Sequence, residues 1–232
     1  MLTLKSHHNF DYKLRELNVD FKGESLKFVV LDNLDKTIDH LCKALEENGS
    51  GDDPLSEDYC PYFGVLWPSA KVLCQYLFQH KAEFKNKSVL EIGCGLALPS
   101  FILKKQGVDV LATDFHRDVP IFLEKNFELN HVKFDYRQLN WREESDEIGK
   151  FDFVIGSDIL YEGRHPYEVC RALIHYLKPN GQIILADPGR TYIQKFVTSM
   201  NELGFKEELL PESVELDGEK REIFVFKFQF TA

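Results

Sequence analysis

An α/β fold built on a largely parallel sheet is what the sequence predicts, and three observations predict it. From residue 69 onward, short apolar runs alternate with helical segments of about 9 to 13 residues, the pattern of successive βαβ units. Two glycines, Gly93 and Gly95, stand between the first of those runs and the helix that follows it. The tail at 222–230 (EIFVFKFQF) alternates apolar and polar residues, as an antiparallel strand with one covered face does.

Taken in order, residues 25–31 (SLKFVVL) read as a strand. Ile38, Leu41, Cys42 and Leu45 recur at helical spacing and predict an amphipathic helix over 35–45. Residues 46–61, rich in Gly, Asp, Ser, Pro and Glu, read as a loop or mobile linker. The chain therefore divides into a short β/α extension at 1–60, expected to pack on the main body, and a domain at 61–232. Pro68 suits a first helical turn, so a helix is expected over 69–80. A buried strand follows at 88–92, then a helix at 98–106 ended by Gly107. Further strands are expected at 108–113, 132–139, 151–156 and 182–186, with helices at 119–130, 166–177 and 191–203. Lys178-Pro179-Asn180-Gly181 is a turn signal, and Gly204 closes the last helix. In sheets of this kind ligands bind beyond the carboxyl ends of the strands, so functional residues are sought there.

Composition narrows the function. With 44% hydrophobic and 28% charged residues, the chain is of the ordinary globular class. A formal net charge of −10 argues against binding held by nucleic-acid phosphates or an anionic membrane. It leaves room for a cationic partner such as a Lys-bearing protein. No apolar run approaches the roughly 18 residues needed to cross a bilayer, and residues 1–11 hold no signal-peptide core. Cys42, Cys60, Cys74, Cys94 and Cys170 form no C-x-x-C pair, so a reducing cytoplasm is expected and a zinc site is not. Eight histidines show no metal-binding spacing; His7 and His8 fall at an N-terminus expected to be mobile, and His116, two residues after Asp114, reads as solvated or structural ahead of a ribose neighbour. A monomer is expected.

Four groups carry chemistry. Glu91-Ile92-Gly93-Cys94-Gly95 follows a strand and opens a helix, where glycines let the backbone approach a ligand. The third glycine of a dinucleotide site is absent, Leu98 standing there, and so is the Gly-Lys-Ser/Thr of a P-loop. A carboxylate two residues before the turn repels pyrophosphate and favours an ammonium-bearing ligand, such as the methionine part of S-adenosylmethionine. Cys94 reads as a small packed side chain, with no histidine at a partner spacing. Asp114, at the end of the second strand, could accept both hydroxyls of a ribose or cap the next helix; its pairing with the glycine turn favours the ribose. Trp67 and Trp141, the only tryptophans, could stack on adenine, face a sulfonium cation or fill the core. Ser157-Asp158-Ile159-Leu160-Tyr161 brings a carboxylate and a phenol to the end of the fourth strand, to hold a polar acceptor or to cap and pack.

Together these residues resemble the class I, seven-stranded S-adenosylmethionine-dependent methyltransferases. Phe63-Gly64-x-x-Trp67-Pro68, Leu139-Asn140-Trp141 and Asp158-x-x-Tyr161 resemble the methyltransferase family 16 group, many of whose members methylate protein lysines. Asp187-Pro188-Gly189-Arg190 further resembles its electron-transfer flavoprotein lysine methyltransferase branch. The resemblance implies a three-layer, Rossmann-like fold with a seven-stranded sheet whose last strand is antiparallel. It implies that Trp67 and Gly93 to Gly95 line the methionine end, Asp114 holds the ribose, Trp141 stacks near the adenine and Ser157 touches the cofactor. Asp158 and Tyr161 would face the acceptor. The function so implied is protein-lysine N-methylation by in-line transfer. The rivals are methylation of a small molecule or a nucleic-acid base, and, last, a silent binding module.

Overall fold

The computed structural model describes residues 2–7, 10–21, 23–47, 59–216 and 219–231. Three antiparallel strands come first: β1 (Leu2–Lys5), β2 (Asp11–Phe21) and β3 (Glu24–Leu31), followed by α1 (Leu34–Glu47). The expected linker lies mostly outside the described residues. Its flanks belong to α1 on one side and, on the other, to a packed turn in which Cys60 is buried.

A 3-10 turn (Tyr62–Gly64) leads to α2 (Pro68–Gln79), β4 (Ser88–Ile92), α3 (Leu98–Lys105), β5 (Asp109–Asp114), α4 (Val119–Asn130) and β6 (Asp135–Gln138). Then come β7 (Phe151–Ser157), α5 (His165–His175), β8 (Leu177–Asp187), α6 (Ile193–Glu202), β9 (Phe205–Leu216) and β10 (Glu219–Phe230). The sheet order is β6-β5-β4-β7-β8-β10-β9. Neighbours from β6 to β8 are parallel, and β10 runs antiparallel to both β8 and β9. This is the expected mostly parallel sheet with its last strand reversed. Because the order turns back at β4, a crevice opens past the ends of β4, β5 and β7.

Side-chain alternation builds the three layers. Val89, Val110, Phe153, Ile155 and Ile184 face one core, shared with α2, α3, α4 and the N-terminal strands. Leu90, Leu111, Val154 and Ile183 face the other, under α5 and α6. Strands buried on both faces must be apolar at nearly every position, which is why they read as continuous runs. The N-terminal sheet packs on α4, whose Asn126 and Asn130 accept the backbone N–H groups of Val29 and Lys27 at 2.7 and 2.9 Å. That edge of β3 is thereby closed.

Four strands depart from expectation. β1 and β2 carry no readable period: along β2 the buried residues are Tyr12 and Leu14, then Val19 and Phe21, so the covered face changes midway. β9 is charged and contains Pro211, features an edge strand tolerates and which disguise it as a loop. Residues 178–181 form a bulge inside β8, where the pairing jumps from Phe151↔Leu177 to Phe153↔Gln182. Asn180 takes the left-handed conformation at φ 64° that this bulge requires.

Candidate active site

Between β4 and α3 the backbone passes through Gly93 at φ +60° and Gly95 at φ +50°. A Cβ on Gly93 would stand 2.7 Å from Ile159 Cγ2 and 3.2 Å from Trp141 Cζ3; one on Gly95 would stand 3.1 Å from the Phe63 carbonyl. The turn is thus held between the Trp141 side and the 3-10 turn with room for glycine alone. Cys94 is buried, and burial pushes its thiol well above the ordinary value. The thiol therefore stays protonated and unreactive, a packed side chain as expected.

Asp114 ends β5 and ties the turn to it. Its Oδ2 accepts the Gly95 N–H at 2.8 Å and its Oδ1 the His116 N–H at 2.9 Å. It does not cap α4, which begins at Val119. His116 lies against Phe63, ring centroids 4.3 Å apart, and its Nδ1 accepts the Asp118 N–H at 3.1 Å. Asp118 in turn accepts the Tyr12 hydroxyl at 2.7 Å and the His7 backbone N–H at 2.8 Å, with the His7 ring against the same carboxylate. His7, expected at a mobile terminus, is therefore anchored by an acid buried beneath the site.

Aromatic rings form the mouth. Tyr62 meets Trp67 at 6.4 Å and Tyr161 at 6.0 Å, and Tyr161 meets His165 at 4.5 Å. Trp67 donates its Nε1–H to the Tyr62 carbonyl at 3.0 Å. Trp141 stands edge-on to His165 at 5.3 Å and presents its ring to the glycine turn.

At the floor, Ser157 ends β7 and Asp158 follows at φ +58°. Asp158 N–H donates to the Ala186 carbonyl at 3.0 Å, which pins this strained residue to the end of β8. Its Oδ2 accepts the Ser69 N–H of the first turn of α2 at 3.2 Å, and its Oδ1 takes Arg190 Nη2 at 2.7 Å. Burial raises the Asp158 pKa, against the lowering effect of Arg190 and Ser69. The Arg190 and Ser69 contacts carry no local sequence signal, since each partner comes from a distant loop or helix.

One cleft of about 870 Å³, counted out to its open mouth, joins these groups. It is lined by Trp67, Gly93, Cys94, Gly95 and Asp114, and equally by Trp141, Ser157, Asp158 and Tyr161. Glu91 is a correction. It was expected near a ligand's ammonium, but its carboxyl is 1% exposed and accepts the Ser100 N–H at 3.0 Å, with the Ser100 hydroxyl beside it. In β4 the side chain of residue 91 alternates toward the α2–α3 layer, away from the cleft. Burial pushes its pKa up to about 8. Among the described lining residues there are two aspartates and neither Lys nor Arg. A phosphate ligand would find no side-chain cation there, whereas a cationic nucleoside suits the acidic, aromatic lining.

A crevice at the switch point, a glycine turn and an acid closing β5 are the architecture of the class I S-adenosylmethionine-dependent methyltransferase fold. Within that class the chain belongs to the lysine methyltransferase family, whose model matches residues 60–203. It is 31% identical over 128 residues to protein N-lysine methyltransferase METTL21A of Xenopus tropicalis, covering 53% of this chain and 59% of that one. Histone-arginine methyltransferase METTL23 of Xenopus laevis is 34% identical over 110 residues, covering 44% and 47%. The chain thus spans about half the length of these curated relatives. Among solved structures, the 16S rRNA methyltransferase RsmC of T. thermophilus, in complex with AdoMet and guanosine, matches with a TM-score of 0.59 at 16% identity. That match covers 94% of this chain and 51% of RsmC and speaks for the fold.

Proposed function

We propose that the protein is a protein-lysine N-methyltransferase that uses S-adenosylmethionine and works in the cytoplasm as a monomer. The observation that carries this reading is Asp158, a carboxylate on the cleft floor behind the rings of Tyr62, Trp67 and Tyr161. A buried carboxylate inside an aromatic mouth suits a long side chain ending in a cation. Five cysteines without a disulfide support a reducing compartment.

Asp114 would hold the ribose, Trp141 the adenine side, and Trp67 with the glycine turn the methionine end. S-adenosylmethionine supplies a methyl group on a positively charged sulfur. The chain's own part is alignment and desolvation, turning an encounter into a positioned in-line transfer. A lysine, with an ordinary pKa of about 10.4, must lose a proton before its nitrogen can attack. Asp158 guides the ammonium inward, and a dry site beside a second positive charge lowers the lysine pKa. Tyr161 and its ring neighbours keep water from the path. Asp158 is an orienting group here, not an obligate base.

Incubating the pure protein and labelled S-adenosylmethionine with a lysate of the source cell tests the reading. A labelled protein band, lysine-methylated by mass spectrometry and lost with Asp158→Ala, is the expected outcome. Calorimetry should show S-adenosylhomocysteine binding within about twofold in that variant, its site being formed elsewhere. Label confined to RNA or to small molecules overturns the protein acceptor, and undiminished turnover by Asp158→Ala overturns the role of that residue.

A further inference from the structure

Asp158 does not stand alone on the cleft floor. Arg190 Nη2 pairs with its Oδ1 at 2.7 Å, while Arg190 Nη1 pairs with Asp187 Oδ2 at 3.1 Å. Asp187 closes β8, and its Oδ1 accepts the backbone N–H groups of Gly189 and Arg190, both at 2.8 Å. The loop that carries the guanidinium is therefore tied down at its root. Gly189, at φ +82°, packs so that a Cβ would lie 3.0 Å from the Phe224 ring of β10. Both carboxylates are buried, at 8% and 1% exposure, so one planar cation serves two acids.

We propose that Arg190 is a positioning residue of the acceptor site: by bridging Asp187 and Asp158 it holds Asp158 ionised and turned into the cleft. The proposal rests on the reading that Asp158 faces the acceptor. Two carboxylates against one guanidinium leave one net negative charge, enough to attract a single cationic side chain. Without Arg190, Asp158 would face burial and the Asp187 charge with only the Ser69 N–H to favour ionisation, and would take up a proton. A neutral carboxyl attracts an ammonium far less. Lysine at 190 keeps the charge but not the fork that reaches both acids.

The groups that act on Asp158 are Arg190 from the loop after β8, Asp187 from the end of β8 and the Ser69 N–H from α2, and Tyr161 lines the same cleft. Removal of Arg190 takes away a lowering influence and leaves burial and Asp187, so the Asp158 pKa must rise. Carbon-13 NMR of the full chain labelled at aspartate carboxyl carbons, with S-adenosylhomocysteine bound, reads this directly. The Asp158 signal is assigned by its absence in Asp158→Asn. Arg190→Gln should move its midpoint up by about one pH unit or more, equivalent to about tenfold in the ionised fraction on its acid side. Arg190→Lys should move it less. In transfer to the labelled lysate protein, Arg190→Gln should lower kcat/KM mainly through KM, and its ratio to wild type should climb as the pH is raised from 6.5 to 9.

An unmoved midpoint, or a loss of activity equal at every pH, overturns the positioning role. Should Arg190→Gln not fold, the Arg190→Lys midpoint decides alone, and no upward move there is also fatal. Failure of the underlying reading looks different: Asp158→Asn would then transfer methyl groups normally, whatever the Arg190 variants do.

Discussion

Glu91 is buried on the core side of β4 with only Ser100 to hydrogen-bond its carboxyl, and burial pushes its pKa up to about 8 against an ordinary 4.5. A raised carboxyl pKa means that the folded state holds the proton more tightly than the unfolded one. Stability therefore falls as the pH rises from about 4.5 to about 8, and levels off above that. Glu91→Gln should remove this slope. By urea unfolding at pH 9 it should exceed wild type by an amount on the order of 1 to 3 kcal/mol, and near pH 5 it should fall short of wild type by a similar amount, because a buried amide N–H without an acceptor costs the same at every pH. Gly93 raises the opposite issue. Alanine there forces a Cβ into Ile159 and Trp141 at φ +60°, so Gly93→Ala should cost about 1 to 3 kcal/mol and weaken S-adenosylhomocysteine binding at least about tenfold by calorimetry.

The N-terminal sheet is joined to the site through Asp118, which sits at the start of α4. Burial alone would raise this carboxyl, but the Tyr12 hydroxyl, both His7 contacts and nearby His116 outweigh it and leave the pKa lowered. The stabilisation so gained is present above the ordinary carboxylate pKa of about 3.9 and is lost as the pH falls through the lower folded value. Tyr12→Phe removes a hydrogen bond to a buried charge and should cost about 1.5 to 3 kcal/mol in urea unfolding at neutral pH. Little of this sheet was legible in the sequence, since the buried face of β2 changes midway and the period-two signal cancels. β9 was hidden for a different reason: an edge strand carries charge and proline to discourage pairing, and so reads as a loop. β4, α3, β5 and α4 were legible to within a residue or two, because each is buried enough to be apolar and ends in a turn or cap with its own chemistry.

Across the whole molecule, the cleft draws on the ends of β4, β5 and β7, the turn before α2 and the loop after β6, so a ligand that fills it couples distant segments of the chain. Binding that favours the folded state should raise stability by about 2.7 kcal/mol at a hundredfold excess of S-adenosylhomocysteine over its Kd. For a chain of this size that corresponds to a Tm increase of about 5 to 10 °C in calorimetry. A nicotinamide dinucleotide at the same excess over that Kd should leave the Tm unchanged, because no Lys or Arg among the described lining residues meets its phosphates.

The sequence by itself determined the layered α/β architecture, the glycine turn, the acid that closes β5 and the Asp158-x-x-Tyr161 pair. Each of these depends on local periodicity or on a backbone angle that only certain residues adopt. Tertiary structure alone decided that Glu91 turns into the core, that Arg190 bridges Asp158 to Asp187, and that His7 reaches an acid 111 residues away. Such pairings depend on which chain segments packing brings together, and no spacing along the sequence encodes a charge met across a fold.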